Sequence, residues 1–255
     1  MYFNVLSANI RKVIIEMVRY LPNTLSTIAT FYAIFLMLFW GIRAFGDPLT
    51  QAENIESTIV GVVLWSLAIM VMQGMGWEIT SEATRGTLEQ LYMSPVAAWR
   101  ILVARTLGRI LTQLVIMVVV LLLAMLTAGQ WLQVDVLLVP LFVLLLTCMM
   151  GVSLMIAGLA IVLKQIDAFL QIVQFAFFGL VSVPVTVSPW LELLPIVRAS
   201  SMIHDVMAEG SSWAEVSPTM WALLVANALI YFGLGITLYK RAEQRALRLG
   251  LLGQY

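Results

Sequence analysis

Residues 137–163 read LLVPLFVLLLTCMMGVSLMIAGLAIVL, an apolar run that contains no Asp, Glu, Lys, Arg or His. As one continuous helix this run is roughly 40 Å long, more than the ~30 Å of hydrocarbon that a spanning helix must cross. A soluble domain rarely holds so long an uncharged stretch. Five further stretches have the same character, at about 24–46, 57–77, 106–128, 168–187 and 218–239. Over the 255 residues the chain is 62% hydrophobic and 11% charged, with a mean hydropathy of +0.98. Ordinary globular domains are nearer 45–50% apolar and about 25% charged, so a water-soluble fold of this composition would expose apolar patches that soluble monomers avoid. The expectation is an all-α integral membrane protein with six transmembrane helices.

The charges lie between the runs, and their distribution predicts an orientation. With the N-terminus inside, the cytoplasmic segments hold Arg11, Lys12, Arg19, Arg85, Arg100, Arg105, Arg109, Lys164, Lys240, Arg241, Arg245 and Arg248. Only Arg43 and Arg198 of the 14 Lys and Arg residues are then left outside. Six crossings return the C-terminus to the cytoplasm, where residues 240–255 form a basic tail. The net charge is zero, so there is no bulk basic character to suggest nucleic acid. The single cysteine, Cys148, excludes an intramolecular disulfide. The N-terminal segment carries Arg11, Lys12, Glu16 and Arg19 instead of an uninterrupted apolar core, so it is expected to be retained.

Three segments outside the runs carry their own patterns. At about 100° per residue, Phe3, Leu6, Ile10, Val13, Ile14, Met17 and Leu21 fall on one side of a helix, with Asn9, Lys12, Glu16 and Arg19 opposite, although Val5 and Ile15 stray onto the polar side. Residues 1–22 are therefore expected to form an amphipathic helix in the membrane interface, ended by Pro22. Residues 188–217 hold short apolar runs interrupted by Pro195 and by charges, which suggests a re-entrant or interfacial helical hairpin on the outer face. Residues 78–95 are the most informative. Gly86 breaks one helix, Thr87 with Gln90 reads as a capping box, and Leu88, Leu91 and Tyr92 line one face of a short helix. Ser94 and Pro95 then read as the cap and first residue of the next helix. A simple connector needs only a few residues, so this segment is built to touch something in the cytoplasm.

The usual catalytic signatures are missing. There is no G-x-x-x-x-G-K-[ST] phosphate loop, no H-E-x-x-H and no G-x-S-x-G. The one histidine, His204, reads as an interfacial residue. No Asp, Glu or Lys lies mid-span, where ion-coupled transporters place their coupling groups; energy supplied by another subunit fits better. Gln171 and Gln174 share a face of the fifth run beside Phe175, Phe177 and Phe178. Two readings are open for them: a lining for an amphipathic substrate, or hydrogen bonds between helices. Gly151, Ala157 and Gly158 in the fourth run read as close helix contacts.

The run Glu82-Ala-Thr-Arg-Gly-Thr-Leu-Glu-Gln-Leu-Tyr-Met-Ser-Pro95 resembles the E-x-x-x-G-T-L-E-x-L-x-x-[ST]-P signature of type-2 ATP-binding-cassette (ABC-2) export permeases. The six runs, the amphipathic N-terminus and the hairpin before the last run are similar to the same plan. The resemblance implies a permease subunit in a bacterial or archaeal cytoplasmic (inner) membrane, paired with a second copy or a paralogue. It implies that the chain binds no cofactor, ATP and magnesium being held by a separate cytoplasmic ATPase subunit. The cargo would be a drug, lipid or polysaccharide, exported by alternating access. Carried over by the same resemblance, the ATPase-coupling residues are Glu82, Arg85, Gly86, Thr87, Leu88 and Glu89, with Lys164 and Asp167 as a second contact. The possible substrate path is Gln171, Gln174, Phe175 and Phe178. The rival expectation is a membrane scaffold or assembly subunit with no transport path of its own.

Overall fold

The computed structural model describes Ile15 and residues 19–163, 166–182, 189–210 and 216–250; the side chains of Asp167, Ser182, Pro189 and Glu209 fall outside that description. The described residues form helices and turns with no strand. In chain order the helices are α1 (Leu21–Phe45), α2 (Gln51–Thr84), α3 (Leu88–Tyr92), α4 (Ala98–Ala128), α5 (Leu138–Leu163) and α6 (Asp167–Ser182). A 3-10 turn (Pro189–Leu193), α7 (Val197–His204), a π turn (Asp205–Glu209) and α8 (Pro218–Arg248) complete the order.

Five of these, α1, α2, α4, α5 and α8, are long and apolar enough to cross a membrane. The fifth expected span corresponds to α6, a shorter apolar helix of 16 residues, about 24 Å long. Residues 183–187 of that expected span lie outside the described residues, as does most of the expected amphipathic helix at 1–22.

The bundle is organised around α2. Its apolar residues are spread around the helix and nearly all are buried, from Ile59 and Leu64 to Met72, Met75 and Ile79. A helix that is apolar on every side is an interior helix. It packs against α1, α4, α5 and α6. The outer helices show the complementary pattern: Met37 and Trp40 on α1, Leu122 and Leu126 on α4, and Leu229 and Ile230 on α8 are exposed. A belt of large apolar side chains at this scale belongs in lipid.

The most extensive helix pair is α5 with α8, and its closeness follows from glycine. A methyl group at Gly235 would sit 2.8 Å from Gly151 Cα, one at Gly151 would fall on the Tyr231 carbonyl, and one at Gly158 would lie 3.2 Å from Tyr239 Cα. Small residues are what allow helices to approach in lipid, where apolar burial gives no drive for association. The expectation for Gly151 and Gly158 is met, with Gly235 as the partner that the sequence reading missed.

Several boundaries differ from expectation, each for a local reason. Pro22 does not end a helix; it sits in the first turn of α1, where its missing N–H costs nothing. The break falls at Tyr20 instead. Ser94 and Pro95 do not start α4, which begins at Ala98 with Ala97 at its cap. The Ser94 hydroxyl accepts a hydrogen bond from Val96 N in a turn (3.3 Å). The basic residues from Lys240 to Arg248 continue α8, and residues 251–255 of the expected tail lie outside the described residues. Of the hairpin expected at 188–217, residues 189–193 and 197–209 are helical and 188 and 211–215 lie outside the described residues; Val197, Ala199, Met202 and Ile203 are in the core, whereas Trp190 and Leu193 are exposed. Arg198 is buried there and paired with Glu192 (2.9 Å), and His204 shares a hydrogen bond with Ser57 of α2 (2.8 Å).

The glycine contacts give a direct test. Gly151→Ala is expected to destabilise the detergent-solubilised protein by about 1–3 kcal/mol through backbone overpacking. At Gly61 an added methyl would meet nothing within 4 Å, so Gly61→Ala is expected to be neutral or slightly stabilising. Thermal unfolding followed by size-exclusion recovery separates the two; equal shifts would contradict the packing.

Candidate functional site

The segment between α2 and α4 begins with a defined helix stop. Gly86 N–H donates to Ala83 O (3.0 Å) and Thr87 N–H to Glu82 O (2.9 Å), with Gly86 at φ +70. This is the Schellman arrangement, in which a left-handed residue, almost always glycine, returns two backbone donors to the last turn. Thr87 is the cap of α3, but its hydroxyl makes no capping bond. The expected capping box is therefore absent. Instead the hydroxyl turns back across the glycine and donates to the Glu82 carboxylate.

That carboxylate belongs to an ionic chain. Arg105 on α4 donates from one Nη1 to Glu78 Oε1 and to Glu82 Oε1, both at 2.7 Å. Arg109, one turn on, pairs with the other oxygen of Glu78. Glu78 and Glu82 are one turn apart on α2, and Arg105 and Arg109 one turn apart on α4, so two facing helix edges interlock with alternate sign. Glu78 and Glu82 are 12% and 18% exposed. At this burial, losing Arg105 would leave two carboxylates short of a partner, costing roughly 1–3 kcal/mol.

The short helix α3 is seated by apolar contact on its inner side. Leu88 and Leu91 are 2% and 7% exposed, as expected for the inner face, and half-buried Tyr92 shares a hydroxyl hydrogen bond with Tyr239 of α8 (3.0 Å). Trp99, in the first turn of α4, packs under the Lys240 ammonium at 5.6 Å. One end of the bundle thus gathers α2, α3, α4 and α8 into a single joint.

Placing the expected coupling residues divides them into two groups. Leu88 is buried and Glu82 and Thr87 are half-buried, facing the bundle. Arg85, Gly86 and Glu89 are exposed, facing away from it. Lys164 lies outside the described residues, and Asp167 is placed only as the first residue of α6. Of the possible path residues, Gln174 accepts a hydrogen bond from Gln73 Nε2 (3.0 Å) and its carbonyl accepts from Trp65 Nε1 (3.2 Å). Phe178 lies edge-on to Trp65 at 5.1 Å. Gln171 and Phe175 are exposed. The structure therefore joins Gln174 and Phe178 to α2 and leaves the other two on the outer surface of α6.

Sequence reasoning used Arg105 and Arg109 for topology alone and gave Glu78 no role. The signal was there: an acidic pair and a basic pair, each spaced i,i+4, flank the loop on the two helices it joins. Above this chain, between α2 and α4, lies a cavity of ≈ 320 Å³ whose lining includes Gln73, Trp77, Thr106, Arg109 and Gln113.

A search of curated proteins returned no match. A family model described as ABC-2 family transporter protein matches residues 45–237, a span that runs from the end of α1 through most of α8. The chain belongs to the ABC-2 transporter family. It is a multi-pass membrane protein and a permease component of an ABC transporter. ABC-2 permeases are typically the membrane subunit without ATPase activity, working with a separate ATP-binding subunit.

The two-group division predicts a split in stability. Leu88→Ala should lower stability by about 2–4 kcal/mol through the cavity it leaves. Arg85→Glu and Glu89→Arg, both exposed, should stay within about 0.5 kcal/mol of the parent. Unfolding of the purified permease reads all three, and a large loss in either charge variant would contradict the assignment of faces.

Proposed function

We propose that this ABC-2 permease exports an amphipathic molecule, a drug, lipid or polysaccharide, and that residues 78–95 couple it to ATP hydrolysis on a separate cytoplasmic subunit. In this reading the chain crosses the membrane six times, α6 with the following residues supplying the fifth crossing, and both termini are cytoplasmic in a bacterial or archaeal inner membrane. A second copy or a paralogue completes the transporter. ATP and magnesium are held by the ATPase partner, and this chain binds neither.

The observation that carries the reading is the form of α3. It is five residues long, too short to be stable alone, yet it is tied to α2, to α8 and, through Glu82 and Arg105, to α4. Glu89 on its far side, and Arg85 and Gly86 in the turn just before it, are exposed. A protruding piece so attached transmits displacement, because any force on Arg85 or Glu89 acts on three long helices at once. ATP-driven closure of the ATPase pair moves the two coupling helices, and the bundles rearrange from inward- to outward-facing. ATP biases that equilibrium only to the extent that the ATPases bind it more tightly in one state. Lys164 and Asp167 supply the second contact. The exposed pair Gln171 and Phe175, with Gln174 and Phe178 beside them, lines the path when the second subunit is in place.

The test is co-reconstitution of the permease with its candidate ATPase in nanodiscs, followed by ATPase activity against a panel of amphipathic drugs and lipids. A stable complex whose activity responds to particular compounds supports a coupled exporter. Arg85→Glu and Glu89→Arg should each reduce that response with unfolding unchanged. Wild-type stimulation in both would remove the coupling assignment, and a stable complex indifferent to every compound would fit a scaffold.

A further inference from the structure

The cavity between α2 and α4 has features that the coupling reading does not use. Its walls include Met70, Val71 and Ile110, and its polar lining includes Gln73, Arg109 and Gln113. Gln113 is 6% exposed, and its side-chain Nε2 is buried without a hydrogen-bond partner. A buried donor without an acceptor is costly, and in hydrocarbon no bulk water is at hand to satisfy it. Arg109 stands one helical turn before Gln113 on α4. Its guanidinium gives Nη2 to Glu78 and Nη1 to Gly74 O (3.3 Å), which leaves part of its five-donor fork for another acceptor.

The cavity thus combines apolar walls with hydrogen-bond donors. Trp77, 59% exposed, stands at its edge, as tryptophan does at membrane interfaces. A volume of ≈ 320 Å³ suits a small polar group and the start of an acyl chain, not a large drug. Guanidinium groups are selective for phosphate because several parallel N–H···O bonds form at once. The Gln113 amide adds a donor one turn deeper.

We infer that this cavity is a binding site for a phosphate-bearing amphipath, its phosphate oxygens accepting from Arg109 and Gln113 and its first methylenes lying against Met70, Val71 and Ile110. Arg109 also belongs to the ionic chain that reaches Thr87 at the start of α3. An occupant therefore draws on the same guanidinium that holds Glu78, and occupancy is felt at the coupling segment. The binding itself does not depend on the coupling reading.

Trp77 provides the readout. The full-length permease is placed in nanodiscs containing phosphatidic acid brominated near the headgroup end of its acyl chain, or diacylglycerol with the same chains and no phosphate. Bromine quenches tryptophan fluorescence on contact, and the share belonging to Trp77 is obtained by difference from Trp77→Phe. Stronger quenching by the phosphate lipid, with that preference lost in Arg109→Gln and reduced in Gln113→Leu, is the expected result. Arg109 is half-exposed and Glu78 keeps Arg105, so Arg109→Gln should fold; unfolding temperatures of both variants verify this. Reversal by glycerol phosphate in the buffer would identify a soluble phosphate ester as the occupant, and persistence would identify the lipid. Equal quenching by the two lipids in the parent protein, or an unchanged preference in both variants, would overturn the site. Because the ATPase takes no part, failure here leaves the coupling reading to be judged by its own experiment.

Discussion

Arg105 lies between two carboxylates of a neighbouring helix, 2.7 Å from each. The joint at this end of the bundle depends on that one contact. Without it, Glu82 would lose its arginine partner and only the Arg109–Glu78 pair would join the two helix edges. With it, the edges interlock, Glu82 is oriented toward the Thr87 hydroxyl, and the stop at Gly86 is held against the start of α3. The pair is only partly buried, so the desolvation penalty that often cancels a buried ion pair is incomplete. Four charges in a connected chain also lose less side-chain entropy per contact than isolated surface pairs.

The rest of the architecture gives this joint something stiff to act on. Helix α2 has 34 residues, about 51 Å, and exceeds the ~30 Å hydrocarbon layer by several turns. Its end therefore carries Glu78 and Glu82 beyond the apolar region as a rigid extension of the most buried helix in the bundle. The α5 and α8 pair, closed on Gly151 and Gly235, is a second stiff unit, and it meets the joint through Tyr239 and Tyr92. The outer faces of α1, α4, α6 and α8 keep their apolar side chains available for lipid or for a second subunit.

Much of this was legible in the sequence because lipid imposes simple rules. Long uncharged runs had to be helices, which is why α1, α2, α4, α5 and α8 were visible at once. Gly86 declared its helix stop, and the alternation of Leu88, Leu91 and Tyr92 declared the buried side of α3. The boundaries were less legible. Pro22 and Pro95 are compatible with either side of a helix start, and only the backbone around them decides. The capping-box pattern at Thr87 failed because the Glu82 carboxylate, five residues back across the Gly86 stop, competed for the same hydroxyl, a contact that lies outside the spacing of the capping box. The role of Arg105 and Arg109 was hidden for a related reason. Charges at a membrane boundary satisfy the topology rule whatever else they do, so their pairing with Glu78 and Glu82 becomes visible only when the helices are side by side. The same holds for Gln113, whose buried and unpaired amide beside the cavity is visible only in the folded bundle.

The central claim is that α3 is a rigid extension of the bundle and not a loose connector. Amide hydrogen exchange across residues 85–97, on the purified permease in nanodiscs, tests it most directly, with Arg105→Gln as comparison. The amides of Gly86, Thr87, Leu91 and Met93, all hydrogen-bonded in the structure, are predicted to be protected to a degree approaching the last turns of α2. That protection is predicted to fall in Arg105→Gln while that of α5 is retained. Unprotected exchange throughout this segment in the parent protein would contradict the claim, since a segment that opens freely transmits no force.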